Sequence, residues 1–154
     1  MEVIDLIAPE AVIPTLRVAS KKQALQELAA RAQALTGVAQ RDIYDALMER
    51  ERLGSTGIGN GIAIPHAKLA ELDRLWGVFA RLEIPIEFSS IDEQPVDLIF
   101  LLLAPIGAGA DHLKALARVS RLLRNHSVCD RLRGSRDASA IFALLTEPMA
   151  THAA

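Results

Sequence analysis

The sequence predicts an α/β fold: a single domain in which a mixed β-sheet is flanked by helices on both faces. Three observations predict it. The apolar run Leu98-Ile-Phe-Leu-Leu-Leu-Ala-Pro-Ile106 lacks the alternation of a half-exposed strand, so it reads as a strand covered on both sides. Segments with helical spacing of apolar residues lie before and after it. Shorter strand-like segments are interleaved with those helices, the element order of a layered α/β domain. With 154 residues, 51% of them hydrophobic, the chain can bury about two-thirds of its unfolded surface, and folding requires neither a disulfide nor a structural metal.

Val12 to Val18 reads as a short extended segment. Ser20 then stands at an N-cap position before Leu25, Leu28, Ala29, Ala32 and Leu35, a helical stripe closed by Gly37. A second helix is expected from Gln40 to Leu53, with Ile43, Ala46, Leu47 and Arg50 on adjacent turns. After a glycine-rich stretch, Ile62 and Ile64 alternate with Ala63, and Pro65 biases Ile64 toward extended geometry, so a short strand should deliver His66 to its end. Strands are predicted at Trp76–Glu83 and Val96–Leu103, separated by a turn at Gln94-Pro95. Asp111 is a candidate cap for a helix to about Asn125, Ser127 for a short one, and Asp137 for a last one to Leu145. The domain is expected to span 1–147, leaving a loose tail over 148–154.

Seventeen basic against nineteen acidic side chains give a net charge of −2, which offers no electrostatic case for binding nucleic acid. The partner is expected to be a protein or a small molecule. The first residues carry Glu2 and Asp5 instead of a basic leader, and the longest apolar run is about half of the ~20 residues that cross a bilayer. No membrane insertion is expected. The single Cys129 reads as a small buried thiol, and with the missing leader it points to a reducing, cytoplasmic setting.

The most informative segment is Arg52-Leu-Gly-Ser-Thr-Gly-Ile-Gly-Asn-Gly-Ile-Ala-Ile-Pro-His66, which holds four of the nine glycines. Closely spaced glycines can turn successive amide N–H groups toward one point, a known way to hold phosphate-like charge. On that reading Gly57, Gly59 and Gly61 supply backbone donors, Ser55 and Thr56 supply hydroxyls, and Arg52 a cation at the helix end. Arg50 reads as part of a solvated helix face. His66 is then either a nucleophile beside an anion site or an ordinary structural histidine.

His112 shares a helical stripe with Leu116, Val119 and Leu123, which puts its ring at the rim of the core in the first turn. A helix N-terminus disfavours the imidazolium and leaves a neutral ring able to donate or accept. It is either a partner for a second histidine or a rim residue. His126 and His152 are assigned no role.

Competing chemistries fail on spacing. There is no H-E-x-x-H, no cysteine pair and no compact ligand cluster, so no metal site is expected. No glycine is followed by the Lys-Ser or Lys-Thr of a nucleotide-binding P-loop, and Ile62 stands where a dinucleotide fingerprint needs its third glycine.

The run Ser55-Thr-Gly-Ile-Gly-Asn-Gly-Ile-Ala-Ile-Pro-His66 resembles the active-site signature of the enzyme IIA domains of the phosphoenolpyruvate-dependent phosphotransferase system, mannitol/fructose type. The similarity continues through Gln94-Pro-Val-Asp-Leu-Ile-Phe-Leu-Leu-Leu-Ala-Pro105 and His112-Leu113, and the chain looks most like the nitrogen-regulatory members. The resemblance implies that His66 accepts a phosphoryl group on Nε2 from a histidine phosphocarrier protein. It further implies that His112 is the second active-site histidine, that Arg52 is the cation beside them, and that no cofactor is required. Two roles follow from it. One is a regulatory switch acting on partners such as potassium-transport components or sensor kinases; the other is a sugar-uptake relay passing phosphate to a IIB partner. Ala67 departs from the glycine of many relatives, and the loop 106–110 does not match the pattern, which leaves partner choice open there.

Overall fold

The computed structural model describes residues 1–148, so all but Pro148 of the expected tail lies outside the described residues. Two short 3-10 turns, Val3–Asp5 and Pro9–Ala11, lead into strand β1 (Val12–Leu16). Helices α1 (Lys21–Thr36) and α2 (Gln40–Arg52) follow, then the short strands β2 (Gly57–Gly59), β3 (Ile62–Ala63) and β4 (His66–Leu69). The long strands β5 (Trp76–Ile86) and β6 (Val96–Pro105) precede helices α3 (Ala110–Leu123), α4 (His126–Arg133) and α5 (Ala138–Thr146).

The six strands form one mixed sheet in the order β1-β5-β6-β3-β2, with β4 also on β6. The hairpin β5–β6 is antiparallel, whereas β1 on β5 and both β3 and β4 on β6 run parallel. Every side chain from Leu98 to Leu103 is fully buried, although alternate residues of a strand point to opposite faces. Both faces of the sheet are therefore covered, as the unbroken apolar run predicted. Helix α1 packs on α2 and β5, α2 on β4, α3 on β6, and α5 on β1.

β3 and β4 are one strand with an interruption. They keep a single register along β6, with Ile62 opposite Leu98 and His66 opposite Leu102. Proline has no N–H to give to a ladder, so the pairing lapses at Ile64-Pro65. The Ile64 N–H turns instead to the carbonyl of Thr56 (3.0 Å), and the Pro65 carbonyl still accepts from Leu102 (2.9 Å). His66 consequently opens the second half of an interrupted strand instead of ending one.

The caps follow local chemistry. Ser20 Oγ accepts from the Gln23 N–H, and Gly37 takes the left-handed conformation (φ 79°) that ends α1. Asp137 caps α5 through the Ala140 N–H (3.0 Å). Two expectations are corrected. Gly109, at φ 55°, occupies the N-cap of α3, so Asp111 falls inside the first turn. Asn125, not Ser127, caps α4, because its Oδ1 reaches the Val128 N–H (3.1 Å). Cys129 is buried, and burial pushes its thiol pKa up. Among the described residues, no helix is long and apolar enough to cross a membrane.

Candidate functional site

The ring of His66 is held at both nitrogens. Nδ1 lies 2.9 Å from the carbonyl oxygen of Ile64. A carbonyl can only accept, so Nδ1 carries the proton and Nε2 keeps its lone pair. Arg50, in the last turn of α2, donates its Nε–H to that lone pair at 3.2 Å and its Nη1–H to the carbonyl of Gly54 at 2.9 Å. A guanidinium never accepts, so the two contacts on the ring specify the same tautomer independently.

His112 comes to the same place from α3. It shares the buried face of that helix with Ala115 and Val119 and is only 6% exposed. Its ring meets that of His66 edge-on, with centroids 5.6 Å apart and planes at 79°. Nε2 of His112 is buried and has no hydrogen-bond partner among the described residues.

Both imidazoles are held in the neutral form. Burial lowers the pKa of His66; the Ile64 carbonyl pulls it back up, Arg50 lowers it and Glu51 raises it. Burial is also the main cause at His112, with the ring of His66 and the Lys68 ammonium acting in the same direction. A neutral imidazole nitrogen such as Nε2 of His66 has a lone pair that can attack an electrophile, and a neutral ring at His112 can still donate one hydrogen bond.

The two rings open onto a hollow of about 460 Å³, which Arg50, Leu53, Lys68 and Glu49 line with Ala46 and Ala67. Leu53 is largely exposed. A larger hollow of about 770 Å³, lined by residues between Arg131 and Glu147, includes neither histidine.

Three sequence expectations are corrected by this geometry. Arg52 does not face the histidines. Two helical residues span about 200°, so when Arg50 points at His66 its neighbour Arg52 points away, and the Arg52 Nη1 binds the exposed carboxylate of Glu49 at 3.0 Å. Arg50, which reads in the sequence as a solvated side chain, is the cation on His66. The helical period would have separated the two had the azimuth of His66 been known.

None of Ser55, Thr56, Gly57, Gly59 and Gly61, from which an anion cradle was expected, borders the hollow, and the donors of the first three are spent within the fold. Ser55 Oγ donates to the carbonyl of Phe88 (2.7 Å) and accepts from the Gly57 N–H (3.0 Å). Both the N–H and the hydroxyl of Thr56 bind Glu51 (3.1 and 2.6 Å). The glycines serve close packing and turning. A Cβ on Gly57 would collide with Ser90, Gly59 sits at φ 101° beside Asp92, and Gly61 sits at φ 80° against Asp97 and Arg133. The signal missed altogether is Lys68, whose position two residues after His66 on β4 puts it on the hollow's wall.

With two neutral histidines, a guanidinium and an ammonium around one opening, the site suits transfer of an anionic group to a ring nitrogen. The family model described as "Phosphoenolpyruvate-dependent sugar phosphotransferase system, EIIA 2" matches residues 5–147. The chain belongs to this EIIA 2 family. Members work in phosphotransfer between proteins, and the resemblance read from the Ser55–His66 signature is borne out.

Among relatives, this EIIA 2 chain is 60% identical over 153 residues to a nitrogen regulatory protein of Bradyrhizobium diazoefficiens, covering 99% of this chain and 100% of the other. It is 42% identical over 133 residues to a nitrogen regulatory protein of Escherichia coli, covering 86% and 82% respectively. Among solved structures, the nitrogen regulatory protein IIA-Ntr of Neisseria meningitidis superposes with a TM-score of 0.89 at 31% identity, over 94% of this chain and 99% of that one. The mannitol IIA of Escherichia coli, at 21% identity and a TM-score of 0.74, covers 90% and 97% and shares the fold.

Proposed function

We propose that this protein is a phosphohistidine carrier and regulatory component of a nitrogen-related phosphotransferase system, acting in the cytoplasm. Its donor is the phosphohistidine of a small phosphocarrier protein. Nε2 of His66 attacks the phosphorus as the donor's N–P bond breaks, and the departing electron pair returns to the donor's imidazole nitrogen. The proton stays on Nδ1, hydrogen-bonded to the Ile64 carbonyl. The observation that carries the reading is the contact of His66 Nδ1 with the Ile64 carbonyl, which leaves Nε2 unprotonated at the hollow, under the Arg50 guanidinium.

Phosphoryl transfer through a loose transition state asks for positioning and for donors around the equatorial oxygens. Arg50 sits against the nitrogen where those oxygens would gather, and the unpartnered Nε2 of His112 supplies a further donor in the appropriate tautomer. Lys68 adds positive charge to the same opening. Phosphorylation then places about two negative charges on a surface that a partner must cover, so one phosphorylation state binds and the other is repelled. Proteins such as potassium-transport components or sensor kinases are the class of target this switch would act on.

The sugar relay, in which phosphate passes on to a IIB partner, is a second reading. It is favoured by 38% identity over 103 residues to a fructose-specific EIIA component of Haloferax volcanii, covering 67% of each chain.

Intact mass after incubation with phosphoenolpyruvate and the general phosphotransferase proteins tests the proposal. One acid-labile phosphoryl adduct is expected in the wild type and none in His66→Ala. Absence of the adduct with two different active donors would overturn it. Rapid loss of the adduct to an added fructose-type IIB protein would favour the relay.

A further inference from the structure

The glycine-rich loop does hold an anion, and that anion is the protein's own Glu51 carboxylate. The Glu51 side chain is 3% exposed, and Lys21 of α1 pairs with its Oε1 at 2.8 Å. The N–H of Thr56 binds the same oxygen at 3.1 Å, and the Thr56 hydroxyl binds Oε2 at 2.6 Å. A buried carboxylate with one cation and two strong donors is fully compensated and has one low-energy geometry.

One contact on the His66 ring traces back to this carboxylate through Thr56, and the other to the main chain of the same residue. On one side, the Thr56 carbonyl accepts from the Ile64 N–H (3.0 Å), and the Ile64 carbonyl accepts from Nδ1 of His66 (2.9 Å). On the other, the Gly54 N–H is bonded to the Glu51 carbonyl (3.1 Å), the Gly54 carbonyl accepts from Arg50, and Arg50 donates to Nε2. Residues 51 and 56 are thus clamped together at the base of a loop whose two ends grip opposite nitrogens of one ring.

We propose that Glu51 is a positioning residue for His66: clamped to Thr56 and Lys21, it holds the Ile64 carbonyl and the Arg50 guanidinium in register, and so fixes the Nδ1–H tautomer that keeps Nε2 unprotonated. Glu51 touches neither the ring nor the hollow, so apart from its charge, which raises the His66 pKa, its effect passes through those two chains of contacts. The inference takes its kinetic meaning from the phosphohistidine reading, but the tautomer it assigns can be observed without any phosphoryl donor.

The test is ring ¹⁵N NMR of His66 together with phosphorylation kinetics, on wild type, Glu51→Gln, Thr56→Val and Thr56→Ser. Wild type should show a protonated Nδ1 and an unprotonated Nε2. Glu51→Gln should mix the two tautomers and lower kcat for phosphorylation about ten-fold with KM for the phosphocarrier unchanged, because misplacement and not docking is affected. Thr56→Val should move both readouts the same way by a smaller factor, and Thr56→Ser, which keeps the hydroxyl, should restore them. Wild-type ring shifts in folded Glu51→Gln would overturn the inference, whatever the rate does. Should Glu51→Gln fail to fold, the same readings on Thr56→Val decide it. Wild type that accepts no phosphate would refute the carrier reading and leave the tautomer measurement standing on its own.

Discussion

The Nε–H of Arg50 points at Nε2 of His66 from 3.2 Å, on the nitrogen that the Ile64 carbonyl leaves unprotonated. A cation resting on the lone pair of a nucleophile is placed to stabilise the charge that arrives with a phosphoryl group, since the same N–H can redirect its hydrogen bond to a phosphoryl oxygen. Arg50→Ala should lower the rate of His66 phosphorylation about 100-fold, the scale seen when one preorganised donor is lost. Arg52→Ala should leave that rate within about two-fold, because its guanidinium is paired with Glu49 on an exposed face. Single-turnover phosphorylation of the two variants checks the assignment, and the reverse ranking would refute it.

The lowered pKa values of His66 and His112 predict the sign of the pH dependence. A histidine whose folded pKa lies below its unfolded value binds fewer protons when folded. Stability from these two rings is therefore fully present above the unfolded pKa of about 6.5, and it is lost as pH falls from there through the folded pKa. Urea midpoints should drop across that acid window, and His112→Gln, which cannot be protonated, should flatten the drop. The carrier activity should follow the same protonation: phosphorylation should hold up at pH values where an ordinary histidine is already mostly protonated.

The sheet was legible because it rests on patterns local to the chain. The unbroken Leu98–Leu103 run announced a strand covered on both faces, and Ser20, Gly37 and Asp137 behaved as the caps they resembled. His66 and His112 were singled out from context, yet their 5.6 Å meeting depends on the parallel pairing of β4 with β6 and the packing of α3, which no spacing states. The choice between Arg50 and Arg52 required the rotation of α2 relative to His66. The glycine loop misled for a physical reason. Its donors look free in a sequence, and the acceptors that consume them, Glu51 and the Phe88 carbonyl, are identifiable only once the chain has folded back.

Gly57 offers a test of that second view of the loop. It adopts an ordinary backbone conformation, so its requirement for glycine is one of space: an added methyl would meet Ser90, which is itself buried. Gly57→Ala should destabilise the fold by about 1–3 kcal/mol, the usual cost of overpacking. Pairing it with Ser90→Gly should recover part of that loss, measured by urea denaturation. An anion site built from the Gly57 N–H would instead show lost anion binding with little loss of stability.

Asp97 and Arg133 anchor the other end of the same loop. Arg133 donates its Nε–H to both carboxylate oxygens of Asp97 (3.1 and 2.9 Å) and its Nη2–H to Asp97 Oδ1 (3.0 Å) and to the Asn60 carbonyl (2.7 Å). The turn it braces contains Asn60 at φ 57° and Gly61 at φ 80°, the left-handed Asn-Gly pair favoured in a two-residue hairpin turn. Asp97→Ala should therefore cost about 1.5–3 kcal/mol, as expected for hydrogen bonds to a charged group. Asp97 lies five residues along β6 from Leu102, the partner of His66, a separation of roughly 16 Å at the rise of a strand. Phosphorylation of His66 in Asp97→Ala should then stay within about two-fold of wild type at temperatures where the variant is folded, since additivity holds for sites so far apart. A large loss of phosphorylation in the folded variant would mean that the Asn60–Gly61 turn, not only the Glu51 end of the loop, governs the ring of His66.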